Sequence, residues 1–247
     1  MGLEQLTQHV YYLPHDEATD RPVLGYVQGQ RYAVAIDAGN SQKHVLKFYS
    51  ALTGAGFALP SLTAITHWHW DHTFGMHAVE GKTVVCGKTQ QKLREVAQWA
   101  WGEKAMAQRL QTGQEIEFCD TNIRLEYPDR TEVKVVPGDV VFEGRLTLEL
   151  GGVQCVLLEV PSPHTQDCTL VLVPQDKVLF VADADCEDFY HGAVWQPDRL
   201  AAYLAAIRGL DFEYYVLGHA PYERKADVIA QLETQLAELQ AEAEKAE

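Results

Sequence analysis

The order of hydrophobic and polar positions predicts short strands near the start of the chain, followed by a helix and a buried strand. Proline and glycine turn signals separate three runs rich in β-branched and aromatic residues, at 10–13, 23–27 and 32–36. From Ser41 onwards the apolar residues recur at i, i+3, i+4 and i+7, which predicts a helix that ends near Gly54. The apolar run 62–65 then predicts a buried strand that leads directly into a histidine-rich segment.

The rest of the chain predicts further strands that alternate with helices. Strands are expected at 84–86, 169–173, 178–182 and 214–217, and a meander of antiparallel strands at 133–160. Helical patterns cover 89–110, 197–209 and a C-terminal stretch at about 222–245. This order, without an internal repeat or a Ser/Gly-rich linker, predicts one domain over residues 1–247. The expected fold is α+β, with two sheets packed face to face and covered by helices.

Composition and charge narrow the range of partners. The chain has 35 acidic and 20 basic side chains, and its net charge of −15 disfavours nucleic acids and anionic membranes as partners. The five cysteines form no C-x-x-C pair, and neither a secretory leader nor an apolar stretch of ~20 residues is present. A cytoplasmic protein with reduced thiols is therefore expected, acting on a small-molecule substrate. These features do not determine the oligomeric state.

The segment from His67 to His72 concentrates side chains that can bind metal ions. It reads His-x-His-x-Asp-His, so four such side chains fall within six positions. Alternation along an extended chain turns His67, His69 and Asp71 to the same side, and imidazole and carboxylate groups suit zinc. Because the segment follows the predicted strand 62–65, we expect these side chains at the end of a strand, where functional residues often lie.

Five motifs, in this order, resemble those of the metallo-β-lactamase superfamily. They are an early Asp, the histidine-rich motif, a His-Thr pair, an Asp after an apolar run and a Gly-His pair, at Asp37, 67–72, His164-Thr165, Asp183 and Gly218-His219. The resemblance extends over roughly residues 10–222. It implies the four-layer αβ/βα sandwich of the metallo-β-lactamase fold.

The resemblance also implies a site for two divalent metal ions, zinc in the first place, with iron or manganese as alternatives. The implied ligands of the first and the second ion are, respectively, His67, His69 and His164, and Asp71, His72 and His219. Asp183 would bridge the ions, and Asp37 would orient ligand residues from beneath the site. From the residues alone, Asp185 and Asp188 compete for the bridging role, but only Asp183 directly follows the apolar run 178–182.

A metal-dependent hydrolase is the activity that the resemblance implies. A metal-bridged hydroxide would attack an ester, thioester or lactone carbonyl, with Asp71 as a catalytic residue. The pairing of Asp183 with His219 resembles the glyoxalase II and lactonase branches, because zinc β-lactamases usually lack a carboxylate at the position of Asp183. The alternatives are a phosphodiesterase, a persulfide-dioxygenase-like mononuclear iron enzyme and a non-catalytic metal-binding member.

The segment at about 88–137 separates the second and third motifs and is expected to be a helical insert. Its residues Trp99 and Trp101 would form a substrate wall if the insert covers the metal site, and ordinary core if it does not. His191 follows the loop that contains Asp183 and is a further candidate for the substrate pocket.

Overall fold

A computed structural model of the chain describes residues 2–246 and contains two β-sheets. In the first sheet the strands lie side by side in chain order, antiparallel from β1 to β4 and parallel from β4 to β7. Its strands are β1 (Glu4–Gln5), β2 (Val10–Leu13), β3 (Leu24–Gln28), β4 (Ala33–Ile36), β5 (Leu62–Ala64), β6 (Lys82–Cys86) and β7 (Val140–Phe142).

The second sheet is formed by the later part of the chain. Its strands are β8 (Arg145–Glu149), β9 (Gln154–Glu159), β10 (Thr169–Val173), β11 (Val178–Ala182), β12 (Tyr214–Leu217) and β13 (Glu223–Arg224). They lie in the order β13-β12-β11-β10-β9-β8, with β11 and β12 parallel and all other neighbours antiparallel. Because β9 and β11 are both antiparallel to β10, they run in the same direction, and so does β12.

Helices connect the strands. They are α1 (Gln42–Gly54), α2 (Trp70–Thr73), α3 (Gly87–Val96), α4 (Glu103–Thr112), α5 (Glu117–Glu126), α6 (Pro197–Arg208) and α7 (Lys225–Ala246). Within residues 2–246, no helix combines the length and the apolar character needed to cross a membrane.

Strand alternation explains how the layers stack. On β4, Val34 and Ile36 belong to the core between the two sheets, whereas Ala35 faces α1 on the other side. On β11, Phe180 belongs to the same inter-sheet core, and Leu179 packs outwards in the cluster that contains α6 and α7. The layers are therefore α1, first sheet, second sheet and α6 with α7, and the α+β sandwich expected from the sequence is confirmed.

Three predicted elements differ from the structure. The helix expected at 89–110 is two helices, α3 and α4, because the chain leaves the helical path after α3 and Gly102 adopts an extended conformation (φ −65°, ψ 163°) before α4. The meander expected at 133–160 is interrupted, because β7 pairs in parallel with β6 in the first sheet and only β8 and β9 form a hairpin. The C-terminal helix begins at Lys225, since the residues just before it form β13.

Candidate metal centre

Polar side chains follow five strands at the same edge of the sandwich. Asp37 follows β4, the histidine-rich segment follows β5, and the loop after β9 carries His164. Asp183 and His219 follow β11 and β12. The parallel pairs β4–β5 and β11–β12 thus bring residues distant in sequence to neighbouring positions.

Three buried histidines form the first cluster. His67, His69 and His164 each offer a ring nitrogen, and these nitrogens all lie within 4.8 Å of one another. His164 Nε2 is 2.9 Å from His69 Nδ1, and His164 Nδ1 is 2.9 Å from the carbonyl oxygen of Glu187. Among the described residues, His67 Nε2 finds no hydrogen-bond partner although it is fully buried. An unpartnered imidazole nitrogen in this position fits a metal ligand, since buried polar groups are otherwise paired.

Two carboxylates and two imidazoles form the second cluster. It consists of Asp71, His72, Asp183 and His219. Asp71 Oδ2 lies 2.9 Å from His72 Nε2 and 3.0 Å from His219 Nε2. Imidazole nitrogens alone in the first cluster, and imidazole nitrogens with carboxylate oxygens in the second, are ligand sets typical of zinc and of other divalent first-row metals.

Asp183 belongs to the second cluster and also approaches the first. Its Oδ2 atom is 3.2 Å from His72 Nε2 and 3.6 Å from His219 Nε2, and it is also 3.9 Å from the Nε2 atoms of both His67 and His164. One carboxylate oxygen therefore faces ring nitrogens of both clusters.

Gly218 makes room for this carboxylate. A Cβ atom at Gly218 would overlap with Oδ1 of Asp183. The glycine before His219 is therefore a steric requirement of the site, since β12 runs beside β11 at this point.

The other two acidic residues near Asp183 have different partners. Asp185 Oδ2 accepts a hydrogen bond of 2.9 Å from the Tyr215 hydroxyl, and Asp188 lies 2.7 Å from Nδ1 of His191. Of the three aspartates considered from the sequence, the structure brings only Asp183 into a metal-binding cluster.

Asp37 orients the histidine-rich segment from beneath. It adopts a left-handed conformation (φ 63°), accepts a 2.8 Å hydrogen bond from the Thr66 backbone N–H and lies 2.8 Å from Nδ1 of His72. Thr66 Oγ1 in turn lies 3.1 Å from Nδ1 of His67. These contacts hold the Nε2 atoms of both histidines towards the clusters, as carboxylates behind metal-ligating imidazoles do.

Asp20 is a site residue that sequence reasoning missed. Its Oδ1 lies 3.3 Å from Nδ1 of His219, so it stands behind that imidazole as Asp37 stands behind His72. Its neighbours are tied to buried Glu126 on α5, which accepts from Thr19 Oγ1 at 2.7 Å and from Arg21 Nη2 at 2.8 Å. An isolated Asp in an irregular loop shows no pattern that could have identified it.

The electrostatics of the clusters suit cations. Burial lowers the pKa of His67 and of His69 well below the ordinary value, so both rings are neutral and able to bind metal. Burial alone would also lower the pKa of His72 and His219, but the Asp71 and Asp183 carboxylates raise it well above the ordinary value. In the metal-free protein these two imidazoles carry protons, which a bound cation would replace.

A cavity of about 700 Å³ opens onto the clusters. His69, Asp71, His164, Asp183 and His219 lie in its wall. The rest is largely apolar and includes residues of the predicted insert: Ile116, Phe118 and Cys119, together with Phe189, Trp195 and Leu232.

Trp99 and Trp101 do not lie in this wall. Trp101 is 8% exposed and packs with Phe74, and the Arg109 guanidinium lies over both tryptophan rings. Helices do occupy the segment at about 88–137, but its contribution to the cavity comes from α5 and the residue before it. His191, with a side chain 79% exposed, lines a second cavity beside the first.

The match to a protein family agrees with this arrangement. Residues 20–219, which include every residue of both clusters, match the family described as the metallo-beta-lactamase superfamily. The chain belongs to this superfamily. Superfamily membership together with the His/Asp clusters supports a metal-dependent hydrolase. No curated protein sequence matches the chain significantly.

Solved structures with low sequence identity to this chain share its fold. A metallo-beta-lactamase from Pontibacter korlensis is 19% identical with a TM-score of 0.63, over 96% of this chain and 98% of that one. A metallo-beta-lactamase family protein from Thermus thermophilus is 18% identical with a TM-score of 0.64, over 96% and 81% of the two chains. A sec-alkylsulfatase from Pseudomonas sp. is 17% identical with a TM-score of 0.65, over 95% of this chain and 41% of that one.

Metal stoichiometry tests the bridging position of Asp183. We expect elemental analysis to give about two divalent ions per chain in the metal-loaded protein and about one in Asp183→Ala, because the first cluster keeps its three histidines. Asp211→Ala is the matched control, since the side chain of Asp211 is 84% exposed and its only described charged contact is Lys177. An unchanged metal content in Asp183→Ala would contradict the assignment.

The contact between Asp20 and His219 predicts a selective effect on the second cluster. Asp20→Ala should weaken the second of two Co²⁺ binding events roughly 10- to 100-fold, the range found when a residue behind a ligand is lost. The first event should not change. Asp20→Asn keeps an oxygen that can accept from Nδ1–H and should recover most of the affinity. Competition against a chromophoric chelator measures both events; equal weakening of the two would show that Asp20 acts only on the fold.

Proposed function

We propose that this protein is a binuclear metal-dependent hydrolase that cleaves an ester, thioester or lactone, with zinc as the preferred metal. The observation that carries the proposal is the position of Asp183 Oδ2, within 3.9 Å of ring nitrogens from both clusters. The first ion would be held by His67, His69 and His164. The second would be held by Asp71, His72 and His219, with Asp183 shared.

Metal ions in such a site supply an activated water at neutral pH and polarise the carbonyl oxygen of the substrate. The chain's own side chains would orient the water and the substrate. Asp71 lines the cavity, and although burial opposes ionisation, His72 and His219 hold its pKa below the ordinary value. Asp71 therefore stays ionised and is the carboxylate placed to hold a water proton at the cavity wall.

The composition of the cavity supports a carbonyl substrate with an apolar group. Phe118 and Phe189 are 60% and 43% exposed and both line the cavity, together with Trp195 and Leu232. Large exposed aromatic side chains around a polar site are typical of apolar ligand pockets. An acyl chain would be removed from water by these residues, while its carbonyl lies against the clusters.

The free thiols support a reducing compartment such as the cytoplasm. All five cysteines are unpaired, and Cys86, Cys119, Cys155 and Cys168 are buried. Reduced cysteines without disulfides are usual in cytosolic proteins.

Substrate panels with chelator controls test the proposal. The metal-loaded protein should hydrolyse at least one member of a panel of 4-nitrophenyl esters, acyl thioesters and lactones, and a chelator should abolish this activity until zinc is restored. Cleavage of phosphodiesters alone would favour a phosphodiesterase. Iron at one ion per chain with oxygen consumption on a persulfide would favour the dioxygenase. Bound metal without any turnover would indicate a non-catalytic member.

Two exposed residues of α5 give a matched test of the apolar cavity. Phe118→Ala should raise KM for a hexanoate ester roughly tenfold, because burying a large apolar side chain against the substrate contributes about 1.5–3 kcal/mol. It should leave KM for the acetate ester nearly unchanged. Leu125→Ala is the control, since Leu125 is 58% exposed on the same helix and does not line the cavity. Equal effects of the two substitutions would remove Phe118 from the substrate site.

A further inference from the structure

A second cavity, of about 670 Å³, adjoins the apolar one. His69, His164 and Tyr190 line both cavities, so the two meet at the first histidine cluster. The Tyr190 ring packs against Trp68 and His69 at centroid distances of 5.4 and 5.1 Å, and its hydroxyl donates to Sγ of Cys119. Tyr190 is therefore a fixed boundary between two compartments that share the candidate metal centre.

The second cavity differs from the first in its chemistry. Its lining includes three cationic side chains, Lys88, Lys92 and Arg199, in a chain whose net charge is −15. The Lys92 ammonium lies over the rings of Trp68 and Trp99, at 4.9 and 5.5 Å from their centroids, which holds it beside the cavity. Gln91, Gln166 and Gln196 add amide groups that can donate hydrogen bonds.

The carboxylates in the same wall already have partners. Asp167 accepts from the hydroxyls of Thr89 and Thr165 at 2.8 and 2.9 Å. Asp188 accepts from the His191 backbone N–H and lies 2.7 Å from that residue's Nδ1. Asp167 and Asp188 thus hold the loops that form the wall, and the third carboxylate of the lining, Glu95, pairs with Lys92 at 3.1 Å.

Arg199 stands out among the cationic groups. Lys88 pairs with Glu159 at 2.7 Å and Lys92 with Glu95 at 3.1 Å, whereas Arg199, partly buried on α6, forms no ion pair within residues 2–246. A guanidinium presents a planar fork of donors that matches carboxylate and phosphate oxygens. A partly buried guanidinium without an acidic partner in a cavity wall is therefore suited to bind an anion.

We propose that this second cavity binds an anionic group, a carboxylate or a phosphate, at the end of the substrate opposite to its apolar acyl group. This inference rests on the proposed function and specifies its substrate class. The bond to be cleaved lies at the first and second clusters, and the acyl chain occupies the apolar cavity. The leaving alcohol or thiol carries the anion towards Arg199.

Matched esters test the charge preference. Phenyl hexanoate, 3-carboxyphenyl hexanoate and 3-phosphonophenyl hexanoate share an acyl chain and differ in the charge of the leaving group. We expect the metal-loaded protein to have a kcat/KM at least tenfold higher for one of the anionic esters, because hydrogen bonds to charged groups are among the stronger polar contacts. The carboxylate and phosphonate arms show which anion is bound.

Two arginines on α6 supply the variants. Arg199→Gln should lower kcat/KM for the anionic ester at least tenfold more than kcat/KM for phenyl hexanoate, which removes most of the preference. Arg208→Gln removes the same charge from the same helix, but Arg208 pairs with Glu233 and does not line the cavity, so the preference should persist. Equal loss on neutral and anionic esters in Arg199→Gln, or no preference in the unmodified protein, would overturn the proposal.

Binding of uncleavable ethers separates the two hypotheses. Hexyl 3-carboxyphenyl ether should bind the metal-loaded protein more tightly than hexyl phenyl ether in calorimetry, and Arg199→Gln should abolish the difference. If no ester is cleaved but this difference is found, the proposed hydrolase fails and the anion site stands. If esters are cleaved but the ethers bind equally, the anion site fails and the hydrolase stands.

Discussion

The Asp183 carboxylate lies buried among imidazoles of both clusters. Asp183 follows a strand of the second sheet, whereas His67 and His72 follow a strand of the first, so these contacts form only if the two strands end at the same edge of the sandwich. Burying a carboxylate costs several kcal/mol unless opposite charges and hydrogen-bond donors surround it. Here His72 and His219 compensate, and they hold the pKa of Asp183 well below the ordinary value against the opposing effect of burial. The second cluster adds Asp71, so acidic groups accumulate around these imidazoles. A divalent cation would neutralise that excess better than protons shared among the rings.

Two aspartates behind the second cluster keep its imidazoles in place. Asp37 lies behind His72 and Asp20 lies behind His219, each facing Nδ1 so that Nε2 points into the site. Asp20 belongs to a loop tied to Glu126, the last residue of α5. The predicted insert therefore affects the site in two ways, because α5 holds the loop behind His219 and also contributes Phe118 to the cavity wall.

The site residues that could be predicted are those that a local sequence pattern marks. His67, Asp183 and His219 each follow an apolar run, so the sequence shows both a metal-binding residue type and its position at the end of a predicted strand. Asp20 could not be found in this way, because its role depends on a loop that approaches a residue nearly two hundred positions later. The pairing of β7 with β6 is hidden for a similar reason, since parallel pairing joins strands more than fifty residues apart.

The insert shows the limit of periodicity as a guide to function. An apolar stripe predicts which face of a helix is buried, but not whether the neighbour is protein or substrate. Trp99 and Trp101 are large and apolar, yet they enclose the Arg109 guanidinium within the insert. Phe118 lines the cavity and is 60% exposed, so other side chains of the folded protein do not bury it. The sequence pattern points to the two tryptophans and not to Phe118, because exposure of an aromatic side chain becomes visible only after folding.

The acidity of the chain is compatible with a cavity that binds an anion through Arg199, because the net charge and the cavity side chains act over different distances. A net charge of −15 sets the mean field far from the surface, and that field disfavours anions during approach. At physiological ionic strength charges are screened beyond roughly 8 Å, so the groups within the cavity dominate once a ligand has entered. Long polyanions such as nucleic acids meet the repulsive field over their whole length. A small molecule with one anionic end meets mainly Arg199, so the cavity can favour short anionic substrates without making the surface attractive to polyanions.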